Sequence, residues 1–101
     1  MIDNIFDNIR HLLHEEVVDE IYLGELVKVS RISSMGQTTD WFDSEFKEVA
    51  VLLEGAATIE FLNRSVGLKK GDIVIINPHE IHRVINTSPT GLWLAFYFKE
   101  K

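Results

Sequence analysis

Most of this chain consists of short segments of alternating polarity, separated by residues that favour turns. In residues 56–62, for example, Ala57, Ile59 and Phe61 lie on one face of a strand and their neighbours lie on the other. Turn residues recur at intervals of about 8–12 residues, a spacing typical of small antiparallel folds. No long helical pattern lies between these segments, which disfavours a parallel sheet. The chain is therefore predicted to be all-β, with about eight strands in an antiparallel sandwich or barrel.

The first third of the chain departs from this pattern. Asp3 is a candidate N-cap, and the apolar residues that follow it recur at helical spacing. They predict one short amphipathic helix that ends near His14. From Val17 the period changes, and residues 17–34 are predicted to form a two-stranded hairpin that turns at Gly24. A helix that continues through residue 22 is the competing interpretation of the same residues.

Length and composition limit the remaining possibilities. A chain of 101 residues is predicted to be one domain, with the helix and hairpin in about 1–34 and a barrel core in about 35–99. The net charge of −6 argues against a nucleic-acid partner. The chain has no cysteine, which excludes thiolate metal sites, and no apolar run approaches the roughly 18 residues that indicate a membrane span. Since the N-terminus is acidic where a signal peptide is basic, we expect a cytoplasmic protein that does not bind membranes.

Four side chains form the candidate site: Asp43, Glu48, His79 and His82. Carboxylate and imidazole donors together suit divalent first-row metals such as Zn, Fe, Mn, Ni or Cu. Neighbouring strands of a barrel can bring such donors together from distant parts of the chain. Each residue also has a simpler interpretation: surface carboxylates for the two acids, a core histidine for His82 and an exposed turn for His79. The two histidines of the predicted helix are expected to face solvent.

The spacing of several residues resembles the two sequence motifs of the cupins. Glu48 and Gly55 have the Glu-x6-Gly spacing of the first motif, whereas Gly71, His82 and Asn86 fall on the Gly, His and Asn of the second. The resemblance to small single-domain cupins extends from Gly36 to Phe98 and includes Gly36-Gln37, Trp41-Phe42-Asp43, Leu52 to Ala57, Gly71-Asp72, His79 to Val84 and Trp93-Leu94-Ala95. It implies a double-stranded β-helix, or jelly-roll, barrel with a divalent transition metal in its mouth.

The match to the first motif is incomplete, because neither of its histidines is present. The longer motif spacing places Trp41 and Asp43 at the histidine positions, and the shorter one places Phe42 and Ser44 there. Asp43 can replace one ligand, but Trp41 cannot replace the other. In the second motif, His79 occupies a position where glycine is usual. The resemblance therefore implies that His79 supplies the missing nitrogen donor, which gives the metal-ligand set Asp43, Glu48, His79 and His82.

The resemblance leads to two classes of function. Cupins of this kind include dioxygenases, isomerases and decarboxylases, so the chain is predicted to be a metal-dependent enzyme that acts on a small organic molecule. The alternative is a non-catalytic module that binds or senses a small ligand, because no general base is evident beyond the predicted metal ligands. Exposed edge strands also predict a homodimer. Further candidates to line the pocket are Trp41, Phe61, Arg83 and Trp93.

Overall fold

The computed structural model describes residues 3–99 and confirms the predicted all-β jelly-roll fold. Eight strands occur in this part of the chain: β1 (Val17–Leu23), β2 (Val27–Ser34), β3 (Lys47–Glu54), β4 (Ala56–Phe61), β5 (Ser65–Lys69), β6 (Ile73–Ile76), β7 (His82–Asn86) and β8 (Gly91–Phe98). The described residues include no helix long and apolar enough to cross a membrane.

The strands form two antiparallel sheets with a shared core. The larger sheet has the order β1-β2-β8-β3-β6, and the smaller one has the order β5-β4-β7. Because β8 pairs with both β2 and β3, the last strand connects the N-terminal hairpin to the rest of the larger sheet. Buried apolar residues from both sheets form one cluster: Ala50, Leu52, Ala57, Ile59, Phe61, Leu68, Val74, Ile76, Trp93 and Ala95.

The register of the larger sheet decides which side chains face the smaller one. Ala50 of β3 pairs with Ala95 of β8, and both are buried in the core. Two residues away along each strand, Glu48 pairs with Tyr97. Since side chains two apart on a strand share a face, Glu48 and Tyr97 also face inward. Val49, which lies between Glu48 and Ala50, faces outward.

The hairpin predicted over residues 17–34 is confirmed, and the competing helix is wrong. β1 and β2 pair from Val17 and Ser33 at one end to Leu23 and Lys28 at the other, with one register shift along the way. The two strands turn at residues 24–26, where the sequence placed the turn. The change from a helical to an alternating period at Val17 was thus the correct signal.

The helix predicted from residue 3 to about residue 14 is wrong. The described N-terminal segment instead contains turns and bends. The buried guanidinium group of Arg31 donates to the backbone carbonyls of residues 5, 7 and 8 at 3.1, 2.6 and 3.2 Å. In an α-helix these carbonyls would accept from amides four residues later. Asn8 also has a φ of 54°, a left-handed conformation that interrupts a right-handed helix.

Candidate functional site

A cavity of about 390 Å³ lies between the two sheets. We call it the barrel cavity. Its walls are mainly apolar, and its polar lining comes from both sheets and from the segments that precede β1 and β3. The lining residues are Glu16, Val18, Lys28, Ile32, Phe42, Ser44, Phe46, Glu48, Ala50, Ile59, Ile76, His82, Val84, Trp93 and Tyr97.

Glu48 is the acid that the larger sheet places in the barrel cavity. It belongs to a row of inward-facing residues on three adjacent strands, in which Lys28 of β2 pairs with Tyr97 of β8, and Tyr97 pairs with Glu48. The pKa of Glu48 is raised to about 7, first by burial and then by the nearby Glu16 carboxylate, and Lys28 partly opposes both effects. Lys28 Nζ lies 4.6 Å from the centre of the Tyr97 ring. At neutral pH, Glu48 therefore exists in both protonation states.

Glu16, just before β1, brings a second carboxyl group to the same cavity. Burial raises its pKa, and a hydrogen bond from Asn86 Nδ2 to Glu16 Oε2, 2.9 Å long, lowers it in part. Asn86 Oδ1 in turn accepts from Trp93 Nε1 at 3.3 Å. The pKa of the Tyr97 hydroxyl is also raised, first by burial and then by the charges of Glu48 and Glu16. The barrel cavity thus disfavours additional negative charge.

Glu16, Lys28 and Tyr97 were not predicted from the sequence. Lys28 and Tyr97 lie in segments of alternating polarity, where an inward-facing polar residue cannot be distinguished from an outward-facing one without the register, and Glu16 lies just before such a segment. The available signal was the position of Tyr97, which shares the phase of Trp93 and Ala95 along β8. That phase predicts an inward-facing hydroxyl once Trp93 is taken as a core residue.

His82 faces the barrel cavity from the smaller sheet. It begins β7 and is 3% exposed. Its Nδ1 lies 2.9 Å from the backbone carbonyl oxygen of Glu80. A carbonyl oxygen can only accept, so Nδ1 carries the hydrogen, and Nε2 of the neutral ring is left as an acceptor for the cavity. The rings of Phe42 and Phe61 flank the imidazole, with centroids 5.6 and 6.1 Å away.

The structure places Asp43 and His79 together outside this cavity. Asp43 Oδ1 lies 2.9 Å from His79 Nδ1, and the two side chains are 56% and 69% exposed. Phe42 forms a bridge with His82, and the amide of His79 donates to the Ser44 carbonyl at 2.7 Å, so this segment runs alongside the start of β7. Phe42 and Ser44 line the cavity. Asp43, which lies between them in an extended segment, therefore points the other way.

The four predicted metal ligands thus form two separate pairs. Glu48 and His82 line the barrel cavity, whereas Asp43 and His79 bind each other outside it. Among residues 3–99, no three His, Cys, Asp or Glu side chains are grouped closely enough to hold a metal ion. A catalytic zinc site needs about three protein ligands. The residues as arranged do not fit a metal bound by all four, and the ligand set stays a prediction.

Of the other sequence candidates, Trp93 lines the barrel cavity, whereas Phe61 belongs to the apolar cluster. Trp41 lies apart from the cavity and is partly covered by the guanidinium group of Arg83, 4.8 Å from its ring centre. Arg83 also pairs with Glu60 on β4. Trp41 and Arg83 are thus part of a polar surface, and Trp93 is the aromatic residue that a ligand would contact.

The fold and its internal cavity define a small β-barrel domain of the cupin type. Residues 36–96 match the family model described as a cupin domain. The chain belongs to the cupin family, as the motif spacing predicted. No curated protein matches the chain.

Solved structures from several bacteria resemble most or nearly all of the chain. A Ralstonia eutropha JMP134 protein, provisionally described as a mannose-6-phosphate isomerase, is 25% identical with a TM-score of 0.88, and the match covers 99% of both chains. A cupin superfamily protein from Desulfitobacterium hafniense DCB-2 is 17% identical, with a TM-score of 0.82 and coverage of 91% of this chain and 84% of the other. A cupin domain from Bordetella pertussis Tohama I is 23% identical, with a TM-score of 0.72 and coverage of 86% and 96%.

Proposed function

We propose that the chain binds a small organic molecule in the barrel cavity. The observation that carries the proposal is the cavity itself, whose volume of about 390 Å³ lies within the range of roughly 300–1,000 Å³ found for small-molecule sites. Apolar side chains such as Ile59 and Trp93 would contact the body of the ligand. Glu48 and His82, which face the cavity from opposite sheets, would fix its orientation.

The same pair gives the cavity a capacity for proton transfer. Glu48 can hold or release a proton near neutral pH, and His82 Nε2 can accept a hydrogen bond from the bound molecule. A general acid and a general base work best when their pKa values lie near the working pH. Binding is therefore the primary proposal, and an acid-base reaction on the bound molecule is its catalytic extension.

A metal-dependent enzyme is the second candidate. Cupins often bind metals, and the hydrogen bond from His82 Nδ1 to a backbone carbonyl is the arrangement usual for metal-binding histidines. A divalent metal held by Asp43, Glu48, His79 and His82 would polarise a carbonyl or carboxylate group of the substrate. Asp43 and His79 would first have to exchange their mutual contact for positions beside His82.

Mannose-6-phosphate isomerase activity is not extended to this chain. Phosphate groups are usually bound by arginine or lysine side chains and by backbone amides. In the described part of the chain, Lys28 is the one basic residue of this kind that lines the barrel cavity, and Glu16 and Glu48 face the same space. A sugar phosphate would therefore meet more negative than positive charge.

A second copy of the chain is the proposed macromolecular partner. One outward-facing row of the larger sheet holds no charged side chain across four strands. It consists of Ile75, Val49, Phe96 and Val29. Two copies can bury such a face against each other in a two-fold dimer. Ile73 and Ile75, on the edge strand β6, are exposed apolar residues of this face.

The ligand-binding proposal is tested by filling the cavity. Ala50 is a buried wall residue, so Ala50→Leu is expected to remove binding of small organic probes, followed through the indole N–H resonance of Trp93. Thr58→Leu, on the outward face of β4, is the matched control and should bind as the unmodified protein does. Unchanged probe binding in a folded Ala50→Leu protein would place the ligand elsewhere.

A further inference from the structure

The groups that face the barrel cavity favour one class of ligand. We propose that the ligand is an organic amine, bound as its ammonium ion, with an apolar body. This inference rests on the proposed function, because it names the class of molecule bound in the same cavity. Its basis is the distribution of charge, hydrogen-bond acceptors and aromatic rings in the lining.

Carboxylates outnumber basic lysine and arginine side chains in the cavity lining. Glu16 and Glu48 both line the cavity, and Lys28 is the single lysine or arginine of the described chain that does so. Lys28 lies over the Tyr97 ring and can balance one of the two carboxylates. Glu16 receives a hydrogen bond from the neutral Asn86 but has no ion pair within residues 3–99. When both carboxylates are ionised, as in mildly alkaline buffer, one ammonium group on the ligand would complete the charge balance.

The orientation of His82 favours a ligand that donates a hydrogen bond. The side chain is nearly completely buried, and the Glu80 carbonyl holds its Nδ1–H. Its Nε2 has no hydrogen-bond partner in the described part of the chain, yet it is not one of the fully buried polar atoms, so a partner for it comes from what the cavity holds. That partner must be a donor, because Nε2 of the neutral ring is an acceptor. A ligand N–H group can therefore donate to this accessible acceptor.

The spacing of the acceptors favours an organic cation over a metal ion. A metal ion needs its donors around a single point, and no three acidic or histidine side chains of residues 3–99 meet this condition. Glu16, Glu48 and His82 instead all line the cavity without meeting at one point. Such separated acceptors suit a cation whose N–H donors and apolar body extend over several ångströms.

Aromatic rings in the cavity lining also favour a cation. Phe42, Phe46, Trp93 and Tyr97 all border the cavity. Aromatic faces attract cations through their quadrupole, and this attraction strengthens when water is excluded. The Tyr97 ring already holds the Lys28 ammonium group at 4.6 Å. The same lining that contacts an apolar body therefore also favours a positive over a negative head group.

The test compares three probes of similar size and different charge: benzylamine, benzyl alcohol and benzoate. Each is titrated into isotope-labelled protein in mildly alkaline, chelator-containing buffer, and binding is followed at the Trp93 indole resonance. Benzylamine is expected to bind about tenfold more tightly than the other two probes, given the strength of charge-assisted hydrogen bonds. Glu16→Gln and Glu48→Gln should each weaken benzylamine binding by about tenfold, and Lys28→Met should strengthen it. Glu54→Gln, an exposed position on the same strand as Glu48, is the matched control and should change nothing.

The outcomes distinguish this inference from the proposed function. If benzyl alcohol or benzoate binds as tightly as benzylamine, the amine class is wrong while a small-molecule site remains. If none of the three probes perturbs the Trp93 resonance, both proposals fail. If benzylamine binds but neither Gln variant weakens its binding, the two carboxylates do not recognise the ammonium group and the inference is wrong. The comparison of probes in the unmodified protein does not depend on the folding of any variant.

Discussion

The buried carboxyl group of Glu48 should make the stability of the metal-free protein fall as the pH rises. Its pKa changes from 4.5, the value for an exposed glutamate, to about 7 in the folded chain. A raised pKa means that the folded state disfavours the ionised form, so the cost is absent below the unfolded pKa and complete above the folded one. At about 1.4 kcal/mol per pKa unit, this cost is at most about 3 kcal/mol. Glu48→Gln removes the ionisation and should therefore stabilise the protein at alkaline pH.

The assay is urea denaturation followed by tryptophan fluorescence, with chelator present. At about pH 8.5, Glu48→Gln should increase the free energy of unfolding by up to about 3 kcal/mol, and at about pH 4.5 the difference should be close to zero. Other groups titrate in the same range, so the quantity of interest is the difference between variant and unmodified protein at each pH. Glu54→Gln, at the exposed end of the same strand, should stay within about 0.5 kcal/mol throughout.

Two results would refute this reasoning. A Glu48→Gln protein that is no more stable at alkaline pH would show that the carboxylate is not destabilised by its surroundings. A gain of equal size at both pH values would show that packing, and not ionisation, is responsible. The same variant also tests the metal hypothesis. If Glu48 is a metal ligand, adding a first-row metal without chelator should stabilise the unmodified protein more than Glu48→Gln.

Three further predictions concern the rest of the chain. The Arg31 guanidinium holds the pKa of Asp19 below its usual value. Asp19→Asn should therefore lower the free energy of unfolding, measured by urea denaturation, by about 1–3 kcal/mol at neutral pH. The difference between variant and unmodified protein should vanish as the pH falls through the acidic range. His79→Gln should leave the benzylamine affinity, measured by titration, unchanged, because the His79 side chain lies outside the cavity. A clear loss of affinity would indicate that this side chain moves into the cavity. Ile75→Lys should convert the proposed dimer to a monomer in analytical ultracentrifugation. Thr58→Lys, on the smaller sheet, is the control and should leave the dimer intact. A monomeric unmodified protein would contradict the dimer proposal.

The sequence was sufficient for the fold because strand patterns and turn residues are local signals. The two-residue period of β4 and the glycine turns at Gly55 and Gly71 lie at the element boundaries that the structure shows, and both glycines have positive φ values. The N-terminal helix failed for the opposite reason. Its apolar spacing is local, but the carbonyl groups that a helix would use are bound by Arg31, more than twenty residues away. A long-range contact of this kind leaves no trace in the periodicity.

Of the four candidate residues, Glu48 and His82 lie in the barrel cavity, and Asp43 and His79 lie outside it. The difference depends on which residues of each extended segment face inward. Motif spacing identifies Glu48 and His82 because each lies on a strand whose inward phase is set by neighbouring core residues. Asp43 lies in a segment that joins the barrel through a single bridge at Phe42, and that bridge fixes Phe42 and Ser44 inward and Asp43 outward. If the register of this bridge shifted by one residue, Asp43 would face inward, and Phe42 and Ser44 would face outward. The position of Asp43 is therefore the most informative one for deciding between an organic ligand and a metal.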